Sequence, residues 1–204
     1  TFDAGGEYDA TLRTVMSDLA GTQGIGALLN YQPHGGTQLH REAGAKLLAQ
    51  YGVRIDPNRV LITAGAQHAM TVALGALTEP GDTILTECMT WPGLRRLGDF
   101  LRFRVQGLPM DEDGILPDAF EAGCRGRNIK ALYCVPNLQN PTSIIVPEQR
   151  RREIAEVARR YGVKIIEDDV YGFLVPNRPQ PLVNFAPELG VFCTSVSKSM
   201  APGL

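Results

Sequence analysis

A chain of 204 residues with 44% hydrophobic and 21% charged content can bury one sizeable core and reads as a single globular domain. No stretch approaches the roughly 18 uninterrupted apolar residues needed to cross a bilayer, and the start at Thr1 has neither the basic flank nor the apolar run of a secretory signal. The expectation is a soluble, cytoplasmic chain. A balance of 20 Lys and Arg against 22 Asp and Glu leaves a net charge of -2, no electrostatic footprint for nucleic acid or an anionic membrane. Cys88, Cys124, Cys134 and Cys193 lack CxxC or Cys/His ligand spacing, so no metal site is expected and all four read as reduced core thiols.

In chain order, residues 1–30 are expected to form an N-terminal arm or helix, with a helix over 9–19 and a Gly-rich ordered loop over 21–36 that carries Pro33. Amphipathic segments then alternate with short Val- and Ile-rich runs, the pattern of helices packed on a mainly parallel sheet, so the fold class is α/β. A strand over 60–63 leads into a helix whose apolar positions are Met70, Ala73, Leu74 and Leu77, stopped by Glu79-Pro-Gly-Asp82. Strands are expected over 83–86, 103–107, 131–135, 164–167 and 191–194. Helices are expected over 93–101, 117–124 (opened by Pro117) and 147–161. The stop at Leu204, directly after a Pro-Gly turn, suggests that the natural protein continues.

In open parallel sheets ligands bind beyond the carboxyl ends of the strands. Gly65-Ala66-Gln67 joins a strand to a helix start there, where free N–H groups and the helix dipole favour an anion such as phosphate. Glu167-Asp168-Asp169 closes another strand, and a carboxylate in that place can hold a proton on a heterocyclic nitrogen, bind Mg, or cap a helix. Asn137 and Asn140, between Pro136 and Pro141, make a rigid amide-bearing loop or a plain surface turn. Lys198 follows a strand expected to be buried, between small polar residues, and is the best placed lysine for a covalent role through a partly desolvated amine. Arg95-Arg96 and Arg150-Arg151-Arg152 read as solvated helix faces, and His34, His40 and His68 as structural or surface residues.

The joint order of these segments carries more than any one of them. Tyr31-Gln-Pro-His-Gly-Gly, Gly65-Ala-Gln, Glu87-Cys-Met-Thr-Trp91, Pro136-Asn-Leu-Gln-Asn-Pro141, Glu167-Asp-Asp-Val-Tyr171 and Ser195-Val-Ser-Lys198-Ser-Met-Ala-Pro-Gly together resemble the class I/II aminotransferases of pyridoxal-phosphate (PLP) fold type I. The resemblance covers about residues 30–204. It implies a three-layer α/β/α large domain over 31–204 that binds pyridoxal 5'-phosphate, with a C-terminal small domain absent from this chain.

Carried over position by position, the resemblance makes Lys198 the residue that forms a Schiff base with PLP and moves the substrate proton, and Asp168 the partner of the pyridine nitrogen. Tyr171 and Asn140 match the partners of the ring's 3' oxygen, Trp91 the stacking aromatic, and Gly65, Ala66, Gln67, Ser195 and Ser197 the phosphate cradle. Tyr31 matches a tyrosine that reaches the neighbouring subunit's phosphate, which implies a homodimer. Ala66 stands where many relatives have Ser, and Met89 replaces a frequent Pro. The family's next phosphate-binding Arg and its substrate-clamping Arg lie beyond Leu204, so the fragment alone is expected to bind PLP weakly and to be inactive.

The implied activity is transfer of an amino group between an amino acid and a 2-oxo acid, in amino acid metabolism. The same motifs also suit the aminotransferase-like effector domain of a GntR/MocR-type transcriptional regulator or a PLP-dependent lyase. An unrelated doubly wound binding domain would show no aldehyde chemistry.

Overall fold

The computed structural model describes residues 6–200. Helix α1 (Gly6–Ala20) and a single 3-10 turn over Ile25–Leu29 precede α2 (Gln38–Gln50), whose first turn is capped by Thr37 accepting from the His40 N–H at 3.2 Å. Then come α3 (Ala66–Leu77), β1 (Thr83–Glu87), α4 (Gly93–Leu101), β2 (Arg104–Leu108) and a small antiparallel hairpin of β3 (Met110–Asp111) and β4 (Gly114–Ile115). The chain continues through α5 (Pro117–Cys124), β5 (Ile129–Cys134), α6 (Glu148–Tyr161), β6 (Lys164–Asp168), β7 (Gly190–Cys193) and the single turn α7 (Val196–Ser199).

Five strands form one sheet in the order β2-β1-β5-β6-β7, every pairing parallel. Alternate side chains of a strand serve opposite faces. Ile84, Ala131, Tyr133, Ile166 and Cys193 therefore pack under α3 and α4 with Met70, Leu74 and Leu94. Their neighbours Leu85, Leu132, Cys134 and Ile165 pack under α5 and α6 with Phe120, Ile154 and Ala158. The result is the expected three-layer α/β/α arrangement. Because all strands run one way, Glu87, Cys134, Asp168 and Cys193 close their strands along one edge of the sheet.

Most expected elements fall within a residue or two of their observed bounds. The strand over 60–63 does not form. Val60 is extended (φ -98°, ψ 129°), but the Ile62 N–H donates to the Gly35 carbonyl at 3.1 Å and Leu61 is 63% exposed. Extended backbone becomes a strand only through a ladder, and no described strand lies beside it. Cys88 is exposed, unlike the other three cysteines, because it follows the last residue of β1 and leaves the core with the turn. No helix among the described residues is long and apolar enough to cross a membrane.

Candidate active site

The carboxyl end of β6 sets out three acids with three different surroundings. Glu167 faces α6 and is fully buried. Its two oxygens accept from the Leu182 and Val183 N–H groups at 3.2 and 2.8 Å, and it lies 3.8 Å from the Arg151 guanidinium. Asp168 turns to the opposite face and is 6% exposed. One of its oxygens accepts from the Tyr133 hydroxyl at 2.7 Å, while Oδ1 is buried without a partner among the described residues. Burial pushes the Asp168 carboxyl up to about 6; the Tyr133 hydrogen bond pulls against this and the Asp169 charge adds to it.

Asp169 accepts from the Asn137 side-chain amide at 3.0 Å, and burial raises its carboxyl as well. Its backbone N–H donates to the Cys193 carbonyl at 2.8 Å and its carbonyl accepts from the Thr194 hydroxyl at 2.9 Å. These bonds tie the turn after β6 to the turn after β7. Gly172 is required beside them, because a β-carbon there would overlap the Asp169 carboxylate.

The loop after β5 is held from below by Arg151. This residue is completely buried, contrary to the solvated face expected of the arginine run. Helix periodicity supplies the reason: Arg151 shares the inward face of α6 with Ile154, Ala155 and Ala158, whereas Arg152 points out and is exposed. Arg151 donates to the Val146 carbonyl at 2.8 Å, the Pro136 carbonyl at 3.1 Å, the Gln180 carbonyl at 3.3 Å and Asn137 Oδ1 at 2.7 Å. Arg150 is also mostly covered, pairing with Asp111 at 3.0 Å.

From above, Gln139 donates to the Met89 carbonyl at 2.6 Å, binding this loop to the one that carries Trp91. Glu87 completes the tie, with one oxygen accepting from the Val135 N–H at 2.7 Å and the other from the Thr86 and Thr90 hydroxyls at 3.1 and 3.2 Å. Burial lifts the Glu87 carboxyl to about 7. Trp91 packs on the core beneath α3 and α4.

Gly65 opens α3 with φ 85° and ψ 172°, a conformation that glycine adopts without strain, and no side chain caps the helix. The first N–H groups of α3, at Ala66 and Gln67, are therefore left without intrahelical partners, and α3 packs on β7. In the turn after β7, Ser195 accepts from the Ser197 N–H at 3.1 Å and the two hydroxyl oxygens stand 2.8 Å apart.

Lys198 is exposed, not partly desolvated as expected: β7 is an edge strand, only half buried, and its sequel inherits that openness. Asn140 and Tyr171 are partly buried in the two loops. Tyr31 projects entirely into solvent, at 106% exposure, and joins nothing in the site. Sequence reasoning missed Tyr133, Glu87, Gln139 and Arg151. The available signal was a hydroxyl-bearing aromatic inside the apolar run of β5 and a charged residue at the end of β1.

A parallel sheet whose carboxyl edge gathers a buried carboxylate, a Gly-led helix start, an indole and a lysine-bearing turn has the architecture of the PLP fold type I class. Residues 4–203 match the family described as aminotransferase class I and II, and the chain belongs to it. It is 32% identical over 175 residues to an uncharacterized HTH-type transcriptional regulator of Bacillus subtilis, YdeF, covering 86% of this chain and 38% of that protein. The crystal structure of an archaeal alanine:glyoxylate aminotransferase superposes with a TM-score of 0.86 at 26% identity, over 95% of this chain and 50% of the other. A kynurenine aminotransferase of Pyrococcus horikoshii, solved with PMP, gives 0.85 at 25% identity, over 96% and 50%. The chain thus spans half the length, or less, of the proteins it matches.

Proposed function

We propose that this chain is the cofactor-binding part of a PLP-dependent aminotransferase that exchanges an amino group between an amino acid and a 2-oxo acid. The observation that carries the reading is Asp168: buried, fixed on one oxygen by Tyr133, with the other oxygen unpartnered among the described residues. A buried acceptor without a donor calls for one, and a protonated ring nitrogen supplies it. When bound, the cofactor offers an aldehyde to an amine and an electron-accepting ring to the substrate α-carbon.

The chain's own groups divide the work. Asp168 keeps the ring nitrogen protonated, because an anion in low dielectric stabilises an adjacent cation. Trp91 supports the ring by stacking, and Asn140 and Tyr171 hold its 3' oxygen. The N–H groups of Ala66 and Gln67, freed by Gly65, hold the phosphate together with Ser195 and Ser197. Lys198 supplies the amine and moves the proton at the α-carbon; its exposure leaves room for cofactor to cover it. Tyr31, unused in its own chain, serves the site of a second copy in a homodimer. The setting is cytoplasmic amino acid metabolism.

The test is to incubate the full-length protein with PLP, reduce with borohydride and map the labelled peptide. A label on Lys198 is expected; a label elsewhere, or none, overturns the proposal. The identity to YdeF favours a second reading, the effector domain of a regulator that senses the cofactor or an amino-acid adduct. Release of 2-oxo acid from a panel of amino acids separates the two: catalytic turnover supports the transaminase, and labelling without turnover supports the sensor.

A further inference from the structure

We propose that Tyr133 is the positioning residue for Asp168: its hydroxyl, reaching across from the neighbouring strand, engages one carboxylate oxygen so that the other is turned, charged, to the cofactor's ring nitrogen. This rests on the reading of the site as a PLP site.

The geometry begins with register. In the β5–β6 ladder Tyr133 lies beside Ile166, so Asp168 is two residues further along on the same face. Two residues of strand rise amount to roughly 6.6 Å. A phenol extends far enough to close that offset, and a Ser or Thr in its place does not. The hydroxyl meets Asp168 at 2.7 Å, a separation typical of hydrogen bonds to an ionised acceptor. Tyr133 is itself fully buried.

The donor can only be Tyr133. Burial and the Asp168 charge push the Tyr133 phenol far above its ordinary range, so it keeps its proton. The other titratable groups that act on this pair oppose the charge or stay neutral. Asp169 lies next in the chain, and Glu87 acts on Tyr133 from β1. The Cys193 thiol on β7 is pushed up to about 12, and the Cys134 thiol on β5 well above its usual value. No cation of the described residues acts on Asp168. Before cofactor enters, the Tyr133 hydroxyl alone offsets the desolvation of that carboxylate.

The experiment compares full-length wild type with Tyr133→Phe, which keeps ring volume and removes one oxygen. In cofactor-free protein labelled with 13C at aspartate carboxyl carbons, Asp168 is expected to titrate about one to two pH units higher in the variant, the value of a hydrogen bond to a charged group. PLP affinity near neutral pH is expected to fall roughly tenfold, while borohydride labelling remains on Lys198. Replacing Tyr133 by 3,5-difluorotyrosine, a stronger donor of the same shape, is expected to move Asp168 the opposite way, and it serves alone if Tyr133→Phe does not fold.

An unchanged Asp168 titration in either variant overturns the assignment, as does a change in stability with no change in titration. If wild type takes no label on Lys198, the cofactor reading fails by itself, while the titration in cofactor-free protein still decides whether Tyr133 governs Asp168.

Discussion

Arg151 gives the severest test of how the site is built. Arg151→Met keeps an unbranched apolar stem and deletes the guanidinium. Four bonds go with it, to the Val146, Pro136 and Gln180 carbonyls and to Asn137. Pro136 retains the Val146 N–H at 2.9 Å, so the orphaned acceptors are Val146, Gln180 and Asn137 Oδ1. Glu167 also loses the one cation beside it among the described residues, 3.8 Å away in a site with no exposure on either side.

Breaking a buried pair on one side costs about 3–5 kcal/mol. Taking about 4 kcal/mol, amide hydrogens of β5 and β6 should exchange roughly a thousandfold faster at pH 8 in the full-length protein. At pH 5 the cost should be smaller, because burial already holds the Glu167 carboxyl up at about 7 and its protonated form needs no cation. Arg152→Met, at an exposed pair with Glu148, should change exchange by less than threefold. Adding Glu167→Gln to Arg151→Met should cost less than the sum of the two single changes. An Arg151→Met effect within threefold of wild type at pH 8 would refute the reasoning that this arginine carries the loop.

Glu87 should make stability fall as pH rises. Its folded carboxyl titrates at about 7 against an ordinary 4.5, so the native state holds the proton more tightly and loses about 3 kcal/mol between those values. Glu87→Gln should remove its share of the slope, with the raised Glu167 and Asp168 carboxyls keeping theirs, read as strand amide exchange at pH 5 and pH 8; an equal slope in both proteins contradicts it. Asp168→Ala should cut release of 2-oxo acid roughly a hundredfold or more while the Lys198 label persists, and full activity would defeat its role at the ring nitrogen. Gly172→Ala should destabilise the turn after β6 by about 1–3 kcal/mol through overlap with the Asp169 carboxylate, visible as lost exchange protection at Asp169.

The sequence made the layers legible because β5 is a nearly continuous apolar run, β6 sets its Ile pair between charged residues after a helix stop, and α4, α5 and α6 keep helical spacing between clear stops. α2 was missed because none of its residues is buried and its apolar stripe is weak. Segment 60–63 has strand composition, but a strand also needs a neighbour, and composition does not report one. Motif order brought out Asp168, Trp91 and Lys198. It could not separate Arg151 from Arg152, because that difference arises from which face of α6 is buried. Tyr133 was hidden for the same reason: inside an apolar run an aromatic looks like packing until its hydroxyl is located.

The phase of β6 has a consequence for how this sequence can diverge. Glu167 anchors the structural arginine on one side of the sheet and Asp168 accepts from Tyr133 on the other, although both are acids and adjacent. Inserting or deleting one residue before them would trade their places, giving the loop the wrong anchor and the site the wrong reach. Composition in this strand can drift among apolar residues, but its spacing up to the two acids cannot change by an odd number without undoing support and chemistry together.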